Sequence, residues 1–181
     1  MLPGIDTPIG RFQLTCSAVT GEPQYFVVEG GARVWAWSGD GVDAEVWVGR
    51  VERALPEGMA VRDCYAAIWR VRAKRDLAEC AFYCLHAGGT DIGAGDHCSG
   101  ERLEAQEWTR NGFTVRLGTQ TVAEPDAGVV EYLPDGFVVR PPGLQPDEMI
   151  QVQFAAAWVP EDGDSTASWF AVDFTPARWR G

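Results

Sequence analysis

Histidine is scarce in this chain: His86 and His97 are the two present in 181 residues. Chemistry that needs an imidazole base or several imidazole ligands has little to draw on. The five cysteines, Cys16, Cys64, Cys80, Cys84 and Cys98, include no C-x-x-C pair, so they follow no established zinc spacing. Neither a G-x-G-x-x-G fingerprint nor a Walker A loop occurs, which leaves a nucleotide-binding fold unsupported. No stretch approaches the roughly 20 apolar residues of a membrane span. The opening Met1-Leu2-Pro3-Gly4-Ile5-Asp6 has no basic region and no apolar run, so no secretory signal is expected. Bases are also short: 15 Lys and Arg face 26 Asp and Glu, for a formal charge of −11. That balance disfavours nucleic acid and anionic membrane surfaces as partners. Together these absences lead to the expectation of a cytoplasmic protein with reduced, mostly buried thiols and no cofactor or metal.

What is present favours a sheet. Apolar residues make up 46% of the chain and eight are tryptophan, enough to bury a sizeable core in a single domain over residues 1–181. Ile150, Val152, Phe154, Ala156 and Trp158 alternate with Gln151, Gln153, Ala155 and Ala157, the period of a pleated strand. After the polar loop Pro160–Ser165, Ser168, Phe170, Val172 and Phe174 alternate with Trp169, Ala171 and Asp173. This pattern predicts an antiparallel hairpin across Ile150–Phe174.

Earlier in the chain, residues 1–10 read as an irregular lead-in. Phe12–Val19, Tyr25–Glu29, Arg33–Trp37 and Ala44–Arg50 then read as four strands of an antiparallel meander, separated by Gly-rich turns. Leu77, Cys80, Ala81, Cys84 and Leu85 fit helical spacing, which predicts a helix over Leu77–His86. Residues 61–73 fit either a helix or, over Ala67–Ala73, a strand. Gly88–Gly100 is a Gly- and Asp-rich loop, and Glu101–Glu107 is helical or extended. Asn111-Gly112 between Trp108–Arg110 and Phe113–Leu117 is the sharpest hairpin signal. Val129–Leu133 and Phe137–Arg140 form another hairpin around Pro134-Asp135-Gly136. The expected fold is α+β: a mainly antiparallel, twisted sheet packed on one or two helices centred on Val61–His86.

Four groups of residues are candidates for function. Cys80, Cys84, His86, His97 and Cys98 flank the Gly-rich loop and could ligate zinc, although buried thiols explain them more simply. His97 beside Asp96 and Cys98 suggests a Cys-His pair, but catalytic partners are usually brought together by the fold rather than by adjacency. Carboxylates cluster at two turns: Asp40, Asp43 and Glu45 at one, and Glu161, Asp162 and Asp164 at the other. Such groups can do acid–base work or bind a cation, and turn carboxylates also solvate or cap. Finally, Trp35, Trp37 and Trp47 lie on strands beside the first acidic turn. If exposed, they make a binding anchor with a charged rim; if buried, they make a Trp-rich core. Charge is uneven as well: residues 121–181 hold ten acids and three bases.

The hairpin Glu107-Trp108-Thr109-Arg110-Asn111-Gly112-Phe113-Thr114-Val115 and the ending Ser168-Trp169-Phe170-Ala171-Val172-Asp173 resemble bacterial immunity proteins of polymorphic toxin systems. Those are small, acidic, cytosolic proteins that neutralise a toxin domain by covering it. The resemblance implies a non-enzymatic binding role toward a basic toxin or effector, and carries over no site residues. The expected partner-binding residues are Trp35, Trp37, Asp40, Asp43, Glu45, Trp47, Glu161, Asp162 and Asp164. Two alternatives stand beside this reading: a small metal-binding or hydrolytic enzyme using the His and Cys residues around the Gly-rich loop, and a structural or assembly protein of a secretion system or phage.

Overall fold

Alternating apolar residues dominate the chain, and alternation in short runs between glycine-rich turns makes antiparallel strands. The structure, a computed structural model, describes residues 2–99, 103–120 and 129–173. The strands are β1 (Gly4–Thr7), β2 (Gly10–Cys16), β3 (Gln24–Val27), β4 (Arg33–Ser38), β5 (Val42–Arg50), β6 (Asp63–Ala73) and β7 (Phe82–His86). After a single 3₁₀ turn over Gly89–Ile92 come β8 (Asp96–Ser99), β9 (Leu103–Arg110), β10 (Phe113–Gln120), β11 (Val129–Leu133), β12 (Gly136–Arg140) and β13 (Met149–Pro160). One α-helix, α1 (Thr166–Val172), follows. Among the described residues no helix is long and apolar enough to cross a membrane.

The strands form two antiparallel sheets. Five strands run in the order β1-β2-β7-β12-β11, and eight run in the order β3-β4-β5-β6-β13-β10-β9-β8. The inward faces of both sheets share one apolar core. Phe12, Leu14, Phe82, Cys84 and Phe137 come from the smaller sheet, and Trp35, Val46, Trp69, Leu117 and Phe154 from the larger. A second, smaller cluster lies on the outer face of the larger sheet. There Ala171 and Val172 of α1 pack on Cys64, Ala66, Ala105, Ala155 and Ala157.

The architecture is therefore mainly β: among the described residues a single short helix packs on the sheet, and it is α1 rather than a helix centred on Val61–His86. The segment Val61–His86 is not helical. Residues 63–73 take the strand alternative, and β6 sits between β5 and β13. Leu77 joins Leu144 through two backbone bonds of 2.9 Å, while Phe82 and Cys84 point into the core from β7. Leu77, Cys80, Ala81 and Cys84 are covered by several different neighbours, and their helical spacing over ten residues is a coincidence of burial. The predicted return strand after Pro160–Ser165 is instead α1. Asp164 Oδ1 accepts the Thr166 N–H at 2.9 Å, and Ser168 Oγ donates to the Ser165 carbonyl at 2.7 Å, so the loop initiates a helical turn. Phe174 lies outside the described residues. The lead-in contains β1, and the first predicted meander strand, β2, joins the smaller sheet; the meander is β3-β4-β5-β6. Both short hairpins form as expected. Asn111 and Gly112 carry φ of 55° and 75°, the left-handed pair a type I′ turn needs.

Candidate functional site: the outer face of the larger sheet

Strand register places side chains in rows across the sheet. On the outer face Ala36 lies opposite Glu45, Glu45 opposite Arg70, and Arg70 opposite Gln151. The next row runs Ser38, Asp43, Arg72 and Met149. Glu45, Arg70, Asp43, Arg72, Met149 and Ala36 from these rows, with parts of Trp37 and Ala44, line an open cleft of about 380 Å³. Arg70 Nη1 lies 3.3 Å from Glu45 Oε1, and its Nε donates to Gln151 Oε1 at 3.3 Å. Lys74 Nζ sits 2.7 Å from Asp43 Oδ1, which also accepts the Ser38 hydroxyl at 2.6 Å. The Lys74 and Ser38 hydrogen bonds hold the Asp43 carboxyl below the usual carboxylate range. Arg75 packs against Gly41 in the same turn. The acidic turn seen in the sequence is thus a mixed-charge surface, because β6 and the turn after it bring Arg70, Arg72, Lys74 and Arg75 to it.

The three tryptophans take different places. Trp35 is fully buried between the sheets, a core residue. Trp37 is half-buried and stacks on Trp69 at 5.4 Å, with its indole N–H donating to the Gly21 carbonyl at 3.3 Å. Trp47 is half-buried on the outer face, opposite Val34 and Ile68. Asp40 is exposed at the β4–β5 turn. Glu161, Asp162 and Asp164 are exposed in the loop after β13. Since Met149 starts β13 beside Asp43's row and Pro160 ends it, the two acidic groups stand at opposite ends of the sheet, on the order of 35 Å apart along a 12-residue strand. The Thr166 hydroxyl and N–H hold the Asp164 carboxyl below its usual range.

The Cys/His group does not assemble. Gly88 N–H donates to His86 Nδ1 at 3.1 Å, so Nε2 carries the proton and donates to the Ile9 carbonyl at 3.0 Å. His97 reaches Glu104 at 3.6 Å and meets the Tyr132 ring edge-on, with Tyr132 hydroxyl donating to the same carboxylate. Cys98 lies on the other face of β8, packed against the outer-face alanine cluster. Cys80 faces Cys16 at 3.6 Å between sulfurs, and Cys84 is fully buried. Among the described residues no group of three or more His, Cys, Asp or Glu is placed to hold a metal ion.

The cations of the cleft were readable only as alternating Arg70 and Arg72 in a strand, a signal the helical alternative obscured. The position of β3 was not readable at all. It is the outermost strand of the larger sheet, and Tyr25, Phe26 and Val27 on it are 51%, 44% and 56% exposed.

No protein-family model matches the sequence, and no curated protein matches it. Among solved structures it is similar to the one described as "Putative kojibiose phosphorylase from human microbiome", with a TM-score of 0.45 and 7% identity. The alignment covers 77% of this chain and 19% of that one, so the chain spans about a fifth of that protein's length.

Proposed function

We propose that this chain is a binding protein of the immunity type, which covers a basic partner, a cognate bacterial toxin domain, and blocks it by steric occlusion. The observation that supports this reading is the charge balance together with where the cations go. Acids exceed bases by 26 to 15. Among the described residues seven bases are tied into ion pairs: Arg11 and Arg33 with Asp6, Arg50 with Asp63, Arg70 with Glu45, Lys74 with Asp43, Arg116 with Glu107 and Arg140 with Glu131. Asp40, Glu161 and Asp162, carboxylates outside these pairs, stand exposed. Such a surface attracts a basic protein over distances of about a Debye length and speeds encounter more than it deepens affinity.

The test is charge reversal at exposed acids whose loss leaves no internal cation stranded. Asp40→Lys, Glu161→Lys and Asp162→Lys, combined in one variant, are expected to slow association with a cognate toxin domain, to be sought among the neighbouring genes, by about tenfold at low salt. The difference should shrink toward nothing as salt is raised. Surface plasmon resonance across a salt series reads both effects. Absence of any complex with the wild-type chain, or host protection unchanged by the triple reversal, would overturn the reading.

A further inference from the structure

The segment Glu22-Pro23-Gln24-Tyr25-Phe26-Val27-Val28-Glu29 is built from strand-forming aromatic and β-branched residues bracketed by two acids. In the fold it becomes β3, bonded to β4 on one side and to nothing on the other among the described strands. The backbone phase is fixed by the bond from Val28 N–H to the Ala32 carbonyl at 3.0 Å. Antiparallel pairs alternate, so Phe26 and Gln24 also bond inward to β4, and the N–H and C=O of Tyr25 and Val27 point to the open edge. Side chains are exposed on both faces of the strand, with Tyr25 leaning on Trp35 at 5.1 Å between ring centres. Edge strands are commonly protected by lysine, proline, a bulge or short length; β3 is short and follows Pro23, but Gln24–Val27 itself carries no proline, lysine or other charge.

We propose that the free edge of β3 is a strand-addition site for an extended, cationic segment of a partner protein. The inference rests on the reading of the chain as a binder of a basic protein, and names where and how that protein is gripped. The occupant's backbone would pair with Tyr25 and Val27, its alternate apolar side chains would cover Tyr25 and Val27, which share a face, and its flanking Lys or Arg would meet Glu22 and Glu29. Both glutamates are exposed, and residues 17–32 contain no base. The same charges argue against a second copy of this chain as the occupant. A two-fold antiparallel pairing through the outward groups opposes Tyr25 to Val27 and Phe26 to itself, and it brings Glu22 within one position of Glu29 of the other copy, between molecules each carrying −11.

The probe is an eight-residue peptide of alternating Thr and Val with Lys at both ends, alongside its Glu-ended counterpart, titrated against the full chain by calorimetry. The Lys-ended peptide is expected to bind at least tenfold more tightly and to slow amide exchange at Tyr25 and Val27. Val27→Pro removes an outward N–H without touching a bond to β4, so it should cut peptide binding at least tenfold at unchanged melting temperature. Glu22→Lys with Glu29→Lys should invert the preference between peptides, which decides the matter should the proline variant melt early. Equal binding of the two peptides, protection mapping to another strand, or a concentration-dependent dimer of the wild type lost in Val27→Pro would each overturn the proposal. The toxin domain separates this from the broader reading. Undiminished toxin binding by the folded Val27→Pro variant sinks strand addition alone, whereas failure of the wild type to bind the toxin sinks the immunity reading.

Discussion

Arg116 is the most consequential single side chain on the outer face. It is only 7% exposed, pairs with Glu107, donates to the Ser165 carbonyl at 3.0 Å and lies over the Trp169 ring at 5.4 Å. It therefore joins β9, β10 and the start of α1 in one contact. Removing one member of a buried ion pair strands the other, and that costs more than the pair itself is worth. Arg116→Leu is expected to lower unfolding free energy by about 3 kcal/mol, and adding Glu107→Leu to recover most of it. Urea denaturation of the two single variants and the double variant measures this. A second residue-scale consequence concerns Cys64, which burial pushes up to about 11. Its thiol stays protonated in the folded chain while the unfolded thiol ionises near 8.5. The stability it contributes is full below about pH 8.5 and declines as pH rises toward 11. Melting temperatures from pH 8 to 10.5 should fall more steeply for the wild type than for Cys64→Ala.

At the level of elements, α1 docks on a floor of alanines. Ala66, Ala105, Ala155 and Ala157 are fully buried, and their small side chains allow Ala171 and Val172 to approach the sheet closely. Ala157→Leu forces added volume under the helix and is expected to cost about 1–3 kcal/mol, read as a lower denaturation midpoint with unchanged slope. The elements that could be read from sequence are those whose conformation is imposed locally. Asn111-Gly112 accepts two left-handed residues where most pairs cannot, so the β9–β10 hairpin announces itself. Within strand β13 the alternation runs over nine residues, Ile150–Trp158, too long for accident. The misread elements are those decided from a distance. Strand β7 takes its form from β2 on one side and β12 on the other, and Gly136 at φ 150° lets β12 close to where an added Cβ would stand 2.0 Å from the Cys84 carbonyl. Helix α1 is seven residues long, too short for period 2 to be told from period 3.6 in its pattern. The candidate site divides in the same way. Its turn carboxylates are visible in the sequence, whereas the cations facing Asp43 and Glu45, and the edge position of β3, exist only through strand order.

Over the whole molecule, strand order interleaves distant parts of the chain. β2 pairs with β7, β7 with β12, and β6 with β13, so neither sheet is built from one stretch of sequence. The eight strands of one sheet outnumber the five of the other, and among the described residues Tyr25, Phe26 and Val27 at the β3 margin stay exposed. Negative charge is distributed on this frame at both ends of β13. The charge-reversal experiment belongs to this scale, because association with a basic protein responds to the summed field rather than to any one carboxylate. Reversing Asp43 or Glu45 instead would disturb Lys74 and Arg70 and confuse folding with recognition.

Strand β13 is the keystone of the larger sheet, flanked by β6 and β10, and it is also the last of the described strands in chain order. During synthesis on a ribosome, Trp69 and Leu117 would emerge well before the strand that lies between theirs. Until residues 149–160 clear the exit tunnel, the nascent chain holds two unfinished half-sheets with raw inner margins, and the finished sandwich arrives in one late step rather than by gradual accretion.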